Sequence, residues 1–97
     1  MLGKRAQARC LSPQRLRSRS IGRFTVGKRL PVTTGNGAFT RRGSVLTSCV
    51  AGGGRLTVVL KKGRVQLVAL RGANGKVRYR ADRRLTKARV RKLLALA

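Results

Sequence analysis

The chain has 97 residues, of which 25 are Lys or Arg and one, Asp82, is acidic, giving a net charge of +24. A chain of this length holds at most one small domain, and at this charge density self-repulsion opposes compaction, with almost no internal partner for the cations. The composition also argues against an enzyme, because there is no His, a single carboxylate and no group to activate either cysteine.

Such an excess calls for an external polyanion, and nucleic acid is the first expectation, since Lys and Arg neutralise phosphates and release counterions. Arginine outnumbers lysine 18 to 7. Guanidinium forks phosphate oxygens and stacks on bases, so the bias points to close contact with folded RNA. The aromatics Phe24, Phe39 and Tyr79 are too few for a platform that reads single-stranded sequence. Backbone and shape recognition is expected instead. Cys10 and Cys49 cannot form a zinc site alone, and two cysteines are not a disulfide framework. They are expected as unpaired thiols in a reducing compartment. No apolar run approaches a membrane span.

Residues 1–23, "MLGKRAQARCLSPQRLRSRSIGR", are rich in Arg and Ser and lack acids. This is the composition of a mitochondrial or plastid transit peptide, and equally of a basic arm that threads into RNA. The two are compatible, and the arm is the reading adopted. Residues 24–54 hold most of the glycine. Pro31 biases Leu30 to an extended conformation, "TGNG" at 34–37 signals a turn, and "SVLTSCV" at 44–50 reads as a short strand before "GGG" at 52–54. The loop content of this stretch predicts support from outside.

Residues 55–80 are the best specified. "RLTVVL" predicts a strand with Leu56, Val58 and Leu60 on one face, "KKG" at 61–63 a three-residue turn with Gly63 in the position that needs positive φ, and "RVQLVALR" a second strand with Val65, Leu67 and Ala69 on one side. Asn74-Gly75 predicts a two-residue hairpin loop before a third strand, "KVRYR". That register sets Arg71 opposite Arg78 and Leu70 opposite Tyr79. Arg71, Arg78 and Arg80 would then share one face, with phosphates across it offsetting their repulsion. Residues 82–97 predict a helix with Val90, Leu93, Leu94 and Ala97 in one stripe and Asp82 or Thr86 as its cap. The expected fold is α+β. Residues 55–97 would form a small three-stranded antiparallel β-meander with one C-terminal helix. Residues 1–54 would form a long, basic, extended N-terminal arm with glycine-rich loops, largely disordered without a partner.

Neither G-x-x-x-x-G-K-[ST] nor G-x-G-x-x-G occurs at "GKRLPVTTGNGAFTRRG", residues 27–43, so nucleotide binding by those routes is not expected. "VGKRLPVTTGNG", residues 26–37, resembles the "TGKRPVTGN" signature of the bacterial large-subunit ribosomal protein family numbered twenty-eight. Extra residues stand at Leu30 and within Thr33-Thr34. In that family a basic loop, strand, turn, strand and closing helix follow, and "RVQLVAL", "RGANG", "KVRYR" and residues 82–97 come in that order here. "LVALRGANGKVRYR" at 67–80 also looks like the hairpin of the family numbered thirty-three. The resemblance implies a structural constituent of the ribosomal large subunit, binding rRNA beside neighbouring ribosomal proteins. The presequence-like N-terminus points to a mitochondrial ribosome, with a bacterial or plastid one as the alternative. The competing expectation is a DNA-compacting protein of protamine or viral-core type. The expected phosphate contacts are Arg71, Arg78, Arg80, Arg83 and Arg84 from the folded part, with Lys28, Arg29, Arg41 and Arg42 from the loop. No cofactor, metal, small-molecule substrate, membrane insertion or homo-oligomer is expected.

Overall fold

The computed structural model describes residues 10–30 and 39–96. Its centre is the hairpin of β5 (Arg55–Lys61) and β6 (Arg64–Arg71). Lys61 pairs with Arg64 instead of joining the expected three-residue turn, leaving Lys62 and Gly63 as a two-residue turn with both φ angles positive, 53° and 78°. That is the turn geometry whose twist matches a right-handed hairpin. Leu56, Thr57, Val58, Val59 and Leu60 are all buried, as are Val65, Leu67, Val68 and Ala69. A strand buried at every position is covered on both faces, so this hairpin requires two covering layers.

One layer is α1 (Lys87–Leu96), whose Val90 and Leu93 pack with Val59, Leu67 and Ala69. The helix is shorter than 82–97. Its cap is Thr86, whose Oγ1 accepts from the Arg89 N–H at 3.1 Å. Asp82 instead holds the preceding turn, accepting from the Arg84 N–H through Oδ1 at 2.9 Å. Val90, Leu93 and Leu94 take the expected places, and Ala97 lies outside the described residues.

The other layer is the N-terminal segment. Ile21 is 0% exposed, and with Phe24 and Val26 it packs on Leu56, Val58, Val65 and Val68. A minimal hairpin of β1 (Ser20–Ile21) and β2 (Phe24–Thr25) carries these residues. The segment crosses the sheet as a strap that uses an open strand edge at each end. At one end Leu11 lies parallel to Val50, its N–H donating to Cys49 O at 2.8 Å and its carbonyl accepting from Ala51 N–H at 2.7 Å. At the other, Gly27 N–H donates to Val65 O and Val65 N–H to Lys28 O, both at 2.8 Å.

The sheet itself has five antiparallel strands in the order β3-β4-β5-β6-β7, adding β3 (Thr40–Arg42), β4 (Val45–Cys49) and β7 (Val77–Ala81). The expected three-stranded meander with an extended arm is therefore corrected. The described residues are mostly β, with a two-stranded and a five-stranded antiparallel sheet and one short helix. The expectation assumed a sheet buried on one face, for which a single helix suffices. β3 escaped notice because all of its residues, Thr40, Arg41 and Arg42, are exposed.

The cysteines also differ from expectation. Cys10 and Cys49 form a disulfide with Cα atoms 4.7 Å apart, and the chain has no free thiol. Seating Leu11 beside Val50 brings Cys10 alongside Cys49, within bridging distance.

Two register details move side chains between faces. A bulge between Val59 and Leu60 leaves Gln66 without a register partner on β5, so Val65 joins the strap-side core while Leu67 and Ala69 face the helix. The β6–β7 loop has three residues, Ala73 to Gly75, closed by Gly72 N–H to Lys76 O at 2.8 Å. Gly75 has φ 86° while Asn74 stays at negative φ and accepts the Lys76 N–H through Oδ1. A two-residue type I′ loop would need both residues positive. Arg71 consequently pairs with Val77, Leu70 with Arg78 and Ala69 with Tyr79, one residue from the expected register. Arg71 faces the helix side and Arg78 and Arg80 the strap side, so the three do not share a face.

Candidate nucleic-acid interface

Every described Lys and Arg is exposed except Arg80, which is half-buried. The fold gathers many of them at the end of the sheet that holds the β5–β6 turn. Lys61 and Lys62 arrive on that turn, Arg64 opens β6, and Arg29 bridges to Arg64 across the edge that the strap fills. The Arg64 guanidinium is steadied by a bond from Nη1 to Gly27 O at 3.1 Å. A cleft of about 320 Å³ lies here, lined by Lys61, Lys62, Arg64 and Arg84 together with Gln66 and Asp82. It adjoins a wider hollow of about 650 Å³ under the start of α1, which shares Lys61, Gln66 and Arg84 and adds Arg89.

The electrostatics of this end are one-sided. Lys61 stands directly opposite Arg64, and Arg64 opposite Arg29. Like charges directly opposite each other are destabilising in a sheet. Asp82 is the chain's only acidic residue, and its Oδ1 is engaged with the Arg84 backbone. A phosphodiester placed in the cleft would be met by guanidinium forks from Arg64 and Arg84 and by ammonium groups from Lys61 and Lys62.

The residues expected to bind phosphate divide between regions. Arg84 lines the cleft, with Arg83 next to it in the same turn. Lys28 and Arg29 reach the same end through the strap. Arg41 and Arg42 lie on β3, beside the Gly43–Ser44 turn, where the Arg41 guanidinium donates from Nε to Gly43 O at 2.9 Å. Arg71 lies at the opposite end of β6, paired with Arg55. Arg78 is opposite Leu70 on the strap side. Arg80 is partly a structural residue, donating from Nε to Arg17 O and from Nη1 to Tyr79 O.

Lys61, Lys62 and Arg64 were not among the expected contacts. "KKGR" reads as a turn, yet a turn between two apolar strands that carries three cations is itself a signal. Arg15, Arg17 and Arg19 likewise alternate along the strap with exposed side chains, while Leu16 between them packs toward the core. Among the described residues no group of His, Cys, Asp or Glu could hold a metal ion. Among them also, no helix is long and apolar enough to cross a membrane. No protein-family model, curated protein or solved structure matches this chain.

Proposed function

We propose that the protein binds the phosphate backbone of structured RNA as a non-catalytic component of a ribonucleoprotein, namely the ribosomal large subunit. The observation that carries this reading is the cleft at the β5–β6 turn, where Lys61, Lys62, Arg64 and Arg84 converge beside a single engaged carboxylate. Like-charged residues set opposite one another there are an arrangement that an intervening polyanion stabilises. The arginine bias supports folded RNA over a duplex bound by charge alone. A bonded strap and registered strands also exceed what charge-driven DNA compaction needs. The strap, expected as an arm filling crevices between rRNA helices, is used here as a covering layer. RNA contact then falls to its outward arginines and to the turn end of the sheet.

The large-subunit assignment draws on the likeness of residues 26–37 to the family numbered twenty-eight, and the mitochondrial setting on the composition of residues 1–23. In this setting the partners are rRNA and neighbouring ribosomal proteins. Sedimentation of the tagged protein from cell extract tests the proposal. Co-migration with the large ribosomal subunit, lost on ribonuclease treatment, is expected. Co-migration with DNA and not with rRNA would overturn it in favour of the DNA-compacting reading.

A further inference from the structure

At the end of the sheet opposite the basic cleft, on the face that α1 covers, Arg55 stands directly across from Arg71, and Arg71 across from Val77. Between them and Leu94 of α1 is a cavity of about 120 Å³ whose floor is Thr57 and Ala69. Both floor residues are buried, whereas Arg55, Arg71 and Val77 are exposed, so the cavity is closed below and opens on the side lined by these three residues. Two positions along β7 on the same face stands Tyr79, across from Ala69. Val77 and Tyr79 are the exposed large hydrophobics among the described residues, 41% and 43% accessible. The exposed large hydrophobics among the described residues are thus gathered beside one cavity with a cationic rim.

We propose that this cavity receives one unstacked pyrimidine of the bound RNA, with its phosphate held between Arg55 and Arg71 and Tyr79 lying against the base. The inference rests on the RNA-binding reading and deepens it. Charge complementarity selects the occupant. Two arginines set opposite each other at the mouth call for an anion. The apolar interior calls for a planar, weakly hydrated body attached to that anion, and an unstacked nucleotide has both parts. Size selects the base, since the volume is slightly below the ~150 Å³ cavity that holds a single benzene ring. The volume matches one six-membered ring more closely than a fused purine. This is a slot for one nucleotide, which three aromatics in the whole chain can supply where a sequence-reading platform cannot.

The test uses the full-length oxidised protein and three labelled RNA hairpins of matched length at fixed salt. One is fully paired, one has a single bulged uridine and one a single bulged adenosine. The wild type is expected to bind the bulged-uridine hairpin about tenfold more tightly than the paired one, within the range a stacked base supplies, and more tightly than the bulged-adenosine hairpin. Val77→Trp fills the mouth from an exposed edge position and should abolish that preference while leaving paired-hairpin affinity unchanged. Circular dichroism checks that the variant retains its fold. Equal wild-type affinity for the three hairpins, or a preference that survives Val77→Trp, would overturn the proposal and leave RNA binding intact. Free uridine monophosphate binding as tightly as the bulged hairpin would reassign the cavity to a free nucleotide and overturn it too. Failure of all hairpins to bind would overturn the RNA-binding reading along with it.

Discussion

Cys10 is bonded to Cys49, closing a 39-residue separation and fixing the start of the strap to the last residue of β4. The strap is one of the two layers over the central hairpin, so this bond reaches the core as well as the surface. In the chain-entropy account a loop of this length is worth about 4 kcal/mol. Cys49→Ser, or reduction of the wild type, is expected to lower unfolding free energy by about 3–4 kcal/mol, read from denaturant midpoints with and without reductant.

Ile21 tests whether the N-terminal segment belongs to the folded body. It is fully buried against β5 and β6, so Ile21→Ala should cost about 3 kcal/mol through lost burial and a cavity. The same substitution in a freely moving arm would cost nothing. The measurement is urea unfolding followed by far-ultraviolet circular dichroism, with an unchanged midpoint as the contrary outcome.

Arg80 joins β7 to the strap by donating to the carbonyl oxygen of Arg17. Arg80→Ala removes both guanidinium hydrogen bonds, to Arg17 O and Tyr79 O, at a half-buried position and should destabilise by about 1–2 kcal/mol. Hydrogen exchange gives the sharper readout, with protection lost around residues 16–21 and retained in β5 and β6.

Much of the central hairpin was legible because local signals agreed. "KKG" between two apolar runs placed the turn and the positive φ of Gly63, but not its length, because Lys61 pairs with Arg64 and Lys62 also takes positive φ. The strap was not legible, because "RLRSRS" is mostly polar and the three apolar residues of "IGRFTV" follow neither a strand nor a helix period, and what they cover is set by non-local contacts. A signal for a second layer was nevertheless present in Val58-Val59 and in Leu67-Val68-Ala69. Consecutive apolar residues in a strand mean two buried faces, whereas alternation means one. The β6–β7 register turned on one backbone angle. Asn74-Gly75 is compatible with a two-residue or a three-residue loop, and only the sign of φ at Asn74 separates them. That slip moved Arg71 to the other face, which is why the expected trio of Arg71, Arg78 and Arg80 is split. At the turn end, Lys28, Arg29, Arg83 and Arg84 were anticipated by charge alone. The strap filling the edge at Val65 brings Lys28 and Arg29 beside Arg64, and the turn held by Asp82 brings Arg84 to the same cleft. The turn at 34–37 lies outside the described residues.

Self-repulsion at +24 predicts a salt effect on the free protein. Raising sodium chloride from 20 to 300 mM, each approximate and chosen to take the Debye length from well above to below 10 Å, should raise the midpoint of thermal unfolding by several degrees. A short polyphosphate should do so at much lower concentration, because it binds the folded cation cluster. A midpoint independent of both would mean the cations are already compensated within the chain.

The central claim is that the cations at the β5–β6 turn hold RNA phosphates, and its most direct test is the salt dependence of binding to a structured rRNA fragment. Affinity is measured for the wild type and for the triple variant Lys62→Ala, Arg64→Ala, Arg84→Ala, and plotted as log K against log salt. Each phosphate contact contributes roughly 0.7–0.9 to the slope, so the variant should have a slope about 2 to 3 shallower than the wild type, with weakened affinity at low salt. Identical slopes for the two proteins, or a wild-type affinity that does not respond to salt, would contradict the account.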